Sequence, residues 1–115
     1  MGVVSGRNPE RLKQAKAEMK SLNGQVLDFQ MDVRDLEHVQ AMILATKNQF
    51  GKIDALVNNA AGNFVCPAEE LSINGWKSVI DIVLNGTWYC SQAVGKEWIA
   101  NNQTGSILNI IATYA

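Results

Sequence analysis

The chain has 115 residues, 47% of them hydrophobic, enough for one globular domain with a modest core. A net charge of -1 gives no electrostatic case for nucleic acid or an anionic membrane as partner. No apolar run approaches the roughly 20 residues of a membrane-spanning helix, and the N-terminus lacks the basic and apolar segments of a secretory signal. The expected setting is therefore cytoplasmic. The two cysteines, Cys66 and Cys90, have neither zinc spacing nor a disulfide framework, and are expected to be reduced, packed thiols.

Val3-Val4-Ser5 predicts a short strand, and Gly6-Arg7-Asn8-Pro9 the turn into a helix. Asn8 suits the N-cap and Pro9 the first helical position. Leu12, Ala15, Met19 and Leu22 recur at helical spacing until Asn23-Gly24 stops them. Gln25 to Met31 predicts a strand ending at Asp32. Asp35 caps the next helix, with Leu36, Val39, Ile43 and Phe50 as its apolar stripe, and Gly51-Lys52 ends it.

Ile53 to Val57 predicts the third strand, followed by a loop containing Cys66 and Pro67. Ser72 caps a long helical region in which Trp76, Val79, Val83, Cys90, Val94 and Trp98 lie close to one face, with Gly86 as a bend or interruption. Thr104-Gly105 leads into the last strand, Ser106 to Ile111. Alternation of strands and helices argues for parallel strands with crossovers, and strands rich in Val, Ile and Leu suit a sheet covered on both faces. The fold class expected is α/β, a doubly wound, Rossmann-like parallel sheet in a single domain over residues 1–115.

Other chemistry finds little footing. His38, the single histidine, sits in a polar stretch of its helix and reads as solvated; no triad or metal cluster assembles around it. Glu69-Glu70 precedes Ser72 and flanks a helix start more naturally than it forms an acid/base pair. The informative junction is the apolar run Ile53-Asp54-Ala55-Leu56-Val57, closed by Asn58-Asn59-Ala60-Ala61-Gly62. A buried strand ending in amides, small residues and glycine lets a ligand approach the backbone closely at a carboxyl edge.

The string from Phe50 to Gly62 resembles the short-chain dehydrogenase/reductase family, whose fourth strand ends in an Asn-Asn-Ala-Gly element. Its extension through Asn63-Phe64 to Pro67 looks most like the 2,4-dienoyl-CoA reductase branch, as do the two alanines before the glycine. The resemblance implies that the chain begins at the family's second strand and stops just after its fifth. Its sheet would then lack the first strand and the C-terminal half. In the order 3-2-1-4-5-6 that first strand separates the second from the fourth. Either those two pair directly, or another chain fills the gap, or the rest of a longer protein supplies it.

The resemblance also implies a site. Arg7 stands where an arginine meets the 2′-phosphate of NADPH, and Asp32-Val33 where a carboxylate and a backbone meet the adenine. Asn58 is expected to tie neighbouring strands, with Asn59, Ala60, Ala61 and Gly62 close to the cofactor ribose. Asn85, in Asp81-Ile82-Val83-Leu84-Asn85-Gly86, and Tyr114 resemble the two donors that bind the thioester oxygen of an acyl-CoA substrate. Ala112 occupies the place of the family's usual serine, and the lysine that orients the cofactor is absent from the chain. Asn63 and Phe64 are candidates for the acyl pocket. No metal is implied, and the long helices suggest a homo-oligomer. The activity implied is NADPH-dependent reduction of 2,4-dienoyl-CoA thioesters in unsaturated fatty acid degradation. The alternatives are a short-chain reductase of ketones or alcohols, or an inert binding or assembly module.

Overall fold

The computed structural model of the chain describes residues 2–22, 24–61 and 66–111. Strand β1 (Gly2–Gly6) leads through Arg7 and Asn8 into helix α1 (Pro9–Lys20), followed by β2 (Val26–Gln30) and helix α2 (Leu36–Phe50). Strand β3 (Ala55–Asn58) precedes a 3-10 turn (Ala68–Glu70), helix α3 (Ile73–Val79), a π-helical segment (Ile80–Asn85), helix α4 (Gly86–Ala100) and β4 (Ser106–Asn109).

Local chemistry accounts for the helix ends. The Asn8 side chain accepts from the N–H groups of Glu10 and Arg11 at 2.9 and 3.1 Å, while Pro9 needs no acceptor. Asp35 accepts from Glu37 and His38, and Ser72 from Gly75. At the far end of α2, Gly51 takes φ 86° and returns its N–H to the Lys47 carbonyl, a left-handed conformation that a side chain would strain.

The strands form two parallel pairs, β1 with β2 and β3 with β4. Register runs Gly2 opposite Val26 to Gly6 opposite Gln30, and Ala55 opposite Ser106 to Asn58 opposite Asn109. Among the described residues β1 and β3 do not pair, so direct pairing of these two strands is not what the chain adopts. Successive side chains of β2 point to opposite faces. Asp28 meets Lys16 of α1 at 2.8 Å, whereas Phe29 packs on the cluster formed with α2 and α4. Helix α1 therefore covers the face opposite α2 and α4, as in a doubly wound sheet.

The core lies between β2, α2, α4 and β3: Met31, Val39, Ile43, Cys90, Val94 and Trp98 are buried together, with Phe29, Val33, Ile53 and Leu56 packed against them. Trp98 donates its indole N–H to the Ile53 carbonyl at 2.7 Å, and the same oxygen accepts from Gln103 at 2.6 Å. The indole lies on Gly105 so closely that an added Cβ would stand 2.2 Å from the ring.

Several expectations need correction. The long helical region is interrupted, as one of the two expectations for Gly86 had it, but by a π-helical segment that precedes Gly86 and separates α3 from α4. A wider turn shifts the angular positions of residues around it. Ile82 is accordingly buried, while Val83 and Trp76 of the expected stripe are exposed. The β3–β4 pair is not covered on both faces, since Val57, Ile107 and Leu108 are exposed. Leu22 and Leu36, expected on apolar stripes, are exposed at helix ends. Cys90 is buried, but Cys66 is exposed rather than packed.

Candidate functional site

The carboxyl end of β1, the start of α1 and the residue after β3 meet at one cleft. It has a volume of about 710 Å³ and is lined by Val4, Ser5, Gly6, Arg7, Asn8, Arg11, Leu12, Ala15 and Asn59. Arg7 is exposed, and its backbone carbonyl accepts from the Gln30 amide at 3.1 Å. Among the described residues, neither the Arg7 nor the Arg11 guanidinium forms an ion pair. Arg11 comes one helical turn after Arg7 and shares its cleft. Its place in this cleft was missed in the sequence, although the spacing after the Asn8 cap was the available signal.

A tight turn follows β2. Both carboxylate oxygens of Asp32 accept from the Arg34 guanidinium, at 2.6 to 3.0 Å, and one also accepts from the Arg34 backbone N–H. The Arg34 hydrogen bonds hold the Asp32 carboxyl below the usual carboxylate range, and Asp32 in turn raises Arg34. Asp32 is thus engaged by Arg34 rather than standing free. Its backbone N–H donates to His38 Nδ1 at 3.2 Å, so His38 is not merely solvated: its ring anchors the turn. That bond requires an unprotonated Nδ1, and Nε2 faces Asp35 at 3.6 Å.

Val33, in the middle of this turn, is half-buried and packs against the core. It lies directly on Gly86, the first residue after the π-helical segment. Asn85, the last residue of that segment, is half-buried, and its Nδ2 donates to Asp81 Oδ1 at 2.8 Å. One Nδ2 proton is thereby used. The second meets no acceptor among the described residues, and Asp81 holds it in orientation.

At the end of β3, Asn58 Nδ2 donates to Asn109 Oδ1 at 2.8 Å and to Ser91 Oγ at 3.1 Å, giving the strand tie expected of it. Asn59, Ala60 and Ala61 follow in exposed positions. Gly62, Asn63, Phe64 and Tyr114 lie outside the described residues, as does Ala112. Arg7 and Asn59 are brought to one cleft; Val33, next to Asp32, packs on Gly86, next to Asn85. A second cavity of about 240 Å³, lined by Lys47, Gly51, Lys52, Ile53, Glu97, Asn101 and Gln103, lies at the amino edge, where Lys47 pairs with Glu97. Among the described residues no group of three or more His, Cys, Asp or Glu is placed to hold a metal ion, and no helix is long and apolar enough to cross a membrane.

Parallel β-α-β units with polar residues gathered at the carboxyl ends of their strands define a Rossmann-like α/β protein. A family model for short chain dehydrogenase matches residues 2–115. The chain belongs to the short-chain dehydrogenase family. It is 56% identical over 113 residues to a probable 2,4-dienoyl-CoA reductase, (2E)-enoyl-CoA-producing, of Bacillus subtilis (strain 168), covering 98% of this chain and 44% of that protein. The crystal structure of a short chain dehydrogenase from Bacillus anthracis superposes with a TM-score of 0.92 at 57% identity, over 97% of this chain and 46% of that one. An actinorhodin polyketide ketoreductase crystallised with NADPH superposes with a TM-score of 0.89 at 27% identity, over 96% and 42%. The chain thus spans less than half the length of these relatives.

Proposed function

We propose that the chain builds the adenosine side of an NADPH site and the polarising amide of a 2,4-dienoyl-CoA reductase of unsaturated fatty acid degradation. The observation that carries this reading is its 56% identity, over 98% of its length, to a relative bearing that name. The donor set also suits the cofactor: two guanidiniums without ion pairs among the described residues share a cleft, a fit for a phosphate dianion. Arg7 would hold the 2′-phosphate, Asp32 and Val33 the adenine, and Asn59, Ala60, Ala61 and Gly62 the ribose side.

When bound, NADPH supplies a hydride to the far end of the conjugated diene. The residues of this chain act on the charge that results. Asn85 donates its second Nδ2 proton to the thioester oxygen, where negative charge gathers as the enolate forms. Asp81 keeps that proton aimed, since its own hydrogen bond fixes the amide plane. Tyr114 is the second donor, and Asn63 and Phe64 flank the acyl chain. The exposed Leu84 of the π-helical segment, with Trp88 and Ile99 of α4, supports assembly as a homo-oligomer through this face.

The test follows NADPH absorbance with a 2,4-dienoyl-CoA thioester, a ketone and an alcohol as separate substrates. Oxidation of NADPH matched by loss of the diene, and slowed on the order of a hundredfold in Asn85→Ala, is the expected result. Turnover of the ketone alone would instead assign another short-chain reductase. Nucleotide binding without any turnover would assign a binding module.

A further inference from the structure

We propose that Gly86 is a positioning residue for the adenosine side of the site: its lack of a side chain seats Val33 and so fixes the Asp32–Arg34 turn against the helix that carries Asn85. The proposal rests on the reading above that this turn meets the adenine. A Cβ built on Gly86 would stand 2.6 Å from Val33 Cγ2 and 3.0 Å from Val33 Cβ. Ordinary carbon contacts lie at about 3.5 to 4.0 Å, so any side chain at 86 drives Val33 away by about 1 Å. Gly86 is buried, and Val33 is packed against the core cluster, so relief of the clash must displace residues that are already in contact.

Charge acts between the same two segments in the same sense, but weakly. Arg34 is held by Asp32 of the turn, and the charge of Asp81, on the π-helical segment, also favours the charged guanidinium. Asp81 in turn accepts from Asn85. The turn and the amide are therefore joined by the apolar contact at Val33–Gly86, while the charge of Asp81 acts on Arg34 only at longer range and without an ion pair among the described residues. Moving Val33 moves the carboxylate and backbone that face the ligand, and a misplacement of about 1 Å at a binding constellation is costly. Gly95, on the same helix α4, has no atom within 4 Å of a built Cβ and serves as the control.

The experiment titrates adenosine 2′,5′-bisphosphate into the wild-type chain and into Gly86→Ala, Gly95→Ala, Val33→Ala and the Val33→Ala/Gly86→Ala pair, with folding checked by circular dichroism. The expected result is a loss of affinity of about tenfold in Gly86→Ala, and none in Gly95→Ala. In the Val33→Ala background the 2.6 Å clash with Cγ2 is gone and only the 3.0 Å approach to Cβ remains, so adding Gly86→Ala should cost clearly less than the roughly tenfold expected in the wild-type background. Wild-type affinity in a folded Gly86→Ala, or equal losses in both backgrounds, would overturn the proposal while leaving the adenosine reading intact. If Gly86→Ala does not fold, a folded double variant with the affinity of Val33→Ala supports the proposal, and an unfolded double variant overturns it. A wild-type chain that binds no bisphosphate overturns the adenosine reading and this proposal with it.

Discussion

Asn58 of β3 spends both of its amide protons on holding the carboxyl edge together: one goes to Asn109 of β4 at 2.8 Å, the other to Ser91 of α4 at 3.1 Å. Strand, strand and helix therefore meet through one side chain just before the exposed Asn59-Ala60-Ala61 segment. Asn58→Ala strips half-buried Ser91 Oγ and exposed Asn109 Oδ1 of their donor, and a loss of about 1 kcal/mol in chemical denaturation is expected. Asn58→Asp is expected to lose more, because a carboxylate would replace the donor beside Asn109 Oδ1. Wild-type stability in both variants would show that the tie is not what holds this edge.

Gly105→Ala probes the amino edge in the same way. The new Cβ would stand 2.2 Å from the Trp98 ring, which must turn and release the Ile53 carbonyl. Overpacking of this kind costs about 1–3 kcal/mol. Denaturation together with a changed tryptophan emission checks the prediction, since loss of stability without a spectral change would leave the indole where it is.

Acid sensitivity follows from three paired carboxylates. Arg34 lowers Asp32, Lys47 lowers Glu97 and Lys16 lowers Asp28, each through a side-chain hydrogen bond. A carboxyl whose folded value lies below its unfolded value adds stability that is fully present above the unfolded value. That contribution is lost as pH falls from about 4 through the folded value. The unfolding midpoint should therefore drop below about pH 4, and Asp32→Asn should flatten part of that slope. An unchanged slope in Asp32→Asn would place the acid sensitivity elsewhere.

The cysteines should separate under a thiol reagent at neutral pH. Burial raises the Cys90 thiol and shields it, whereas Cys66 is exposed. One adduct, mapped to Cys66 by mass spectrometry, is expected in the native chain, and a second only after denaturation. Early labelling of Cys90 would mean that α4 opens far more readily than its packing against Met31, Val39 and Ile43 implies.

Where the signal was local, the sequence was legible. Asn8, Asp35 and Ser72 cap their helices as predicted because a side chain two or three residues from an unpaired N–H satisfies it within the same segment. The parallel α/β pattern was legible in the alternation of strands and helices, and the Asn58 tie in the family resemblance of the Asn58–Gly62 element. An interruption at Gly86 was legible as well, but its π-helical form was not, and the packing of Val33 on Gly86 brings together residues far apart in sequence. The acceptor role of His38 and the sharing of one cleft by Arg7, Arg11 and Asn59 depend on how distant elements meet. Exposure of Val57, Ile107 and Leu108 was hidden as well, since an apolar strand reads alike whether or not both of its faces are covered.

The most direct test is an NMR titration of the chain with adenosine 2′,5′-bisphosphate and with 5′-AMP, followed at every backbone amide. Shifts should cluster at Arg7, Asn8, Arg11, Asp32, Val33 and Ala60, with the 2′-phosphate compound binding at least about tenfold tighter and Arg7→Ala abolishing that preference. Equal affinity for the two nucleotides, or shifts confined to the amino-edge cavity around Lys47 and Gln103, would contradict an NADPH site at the carboxyl edge.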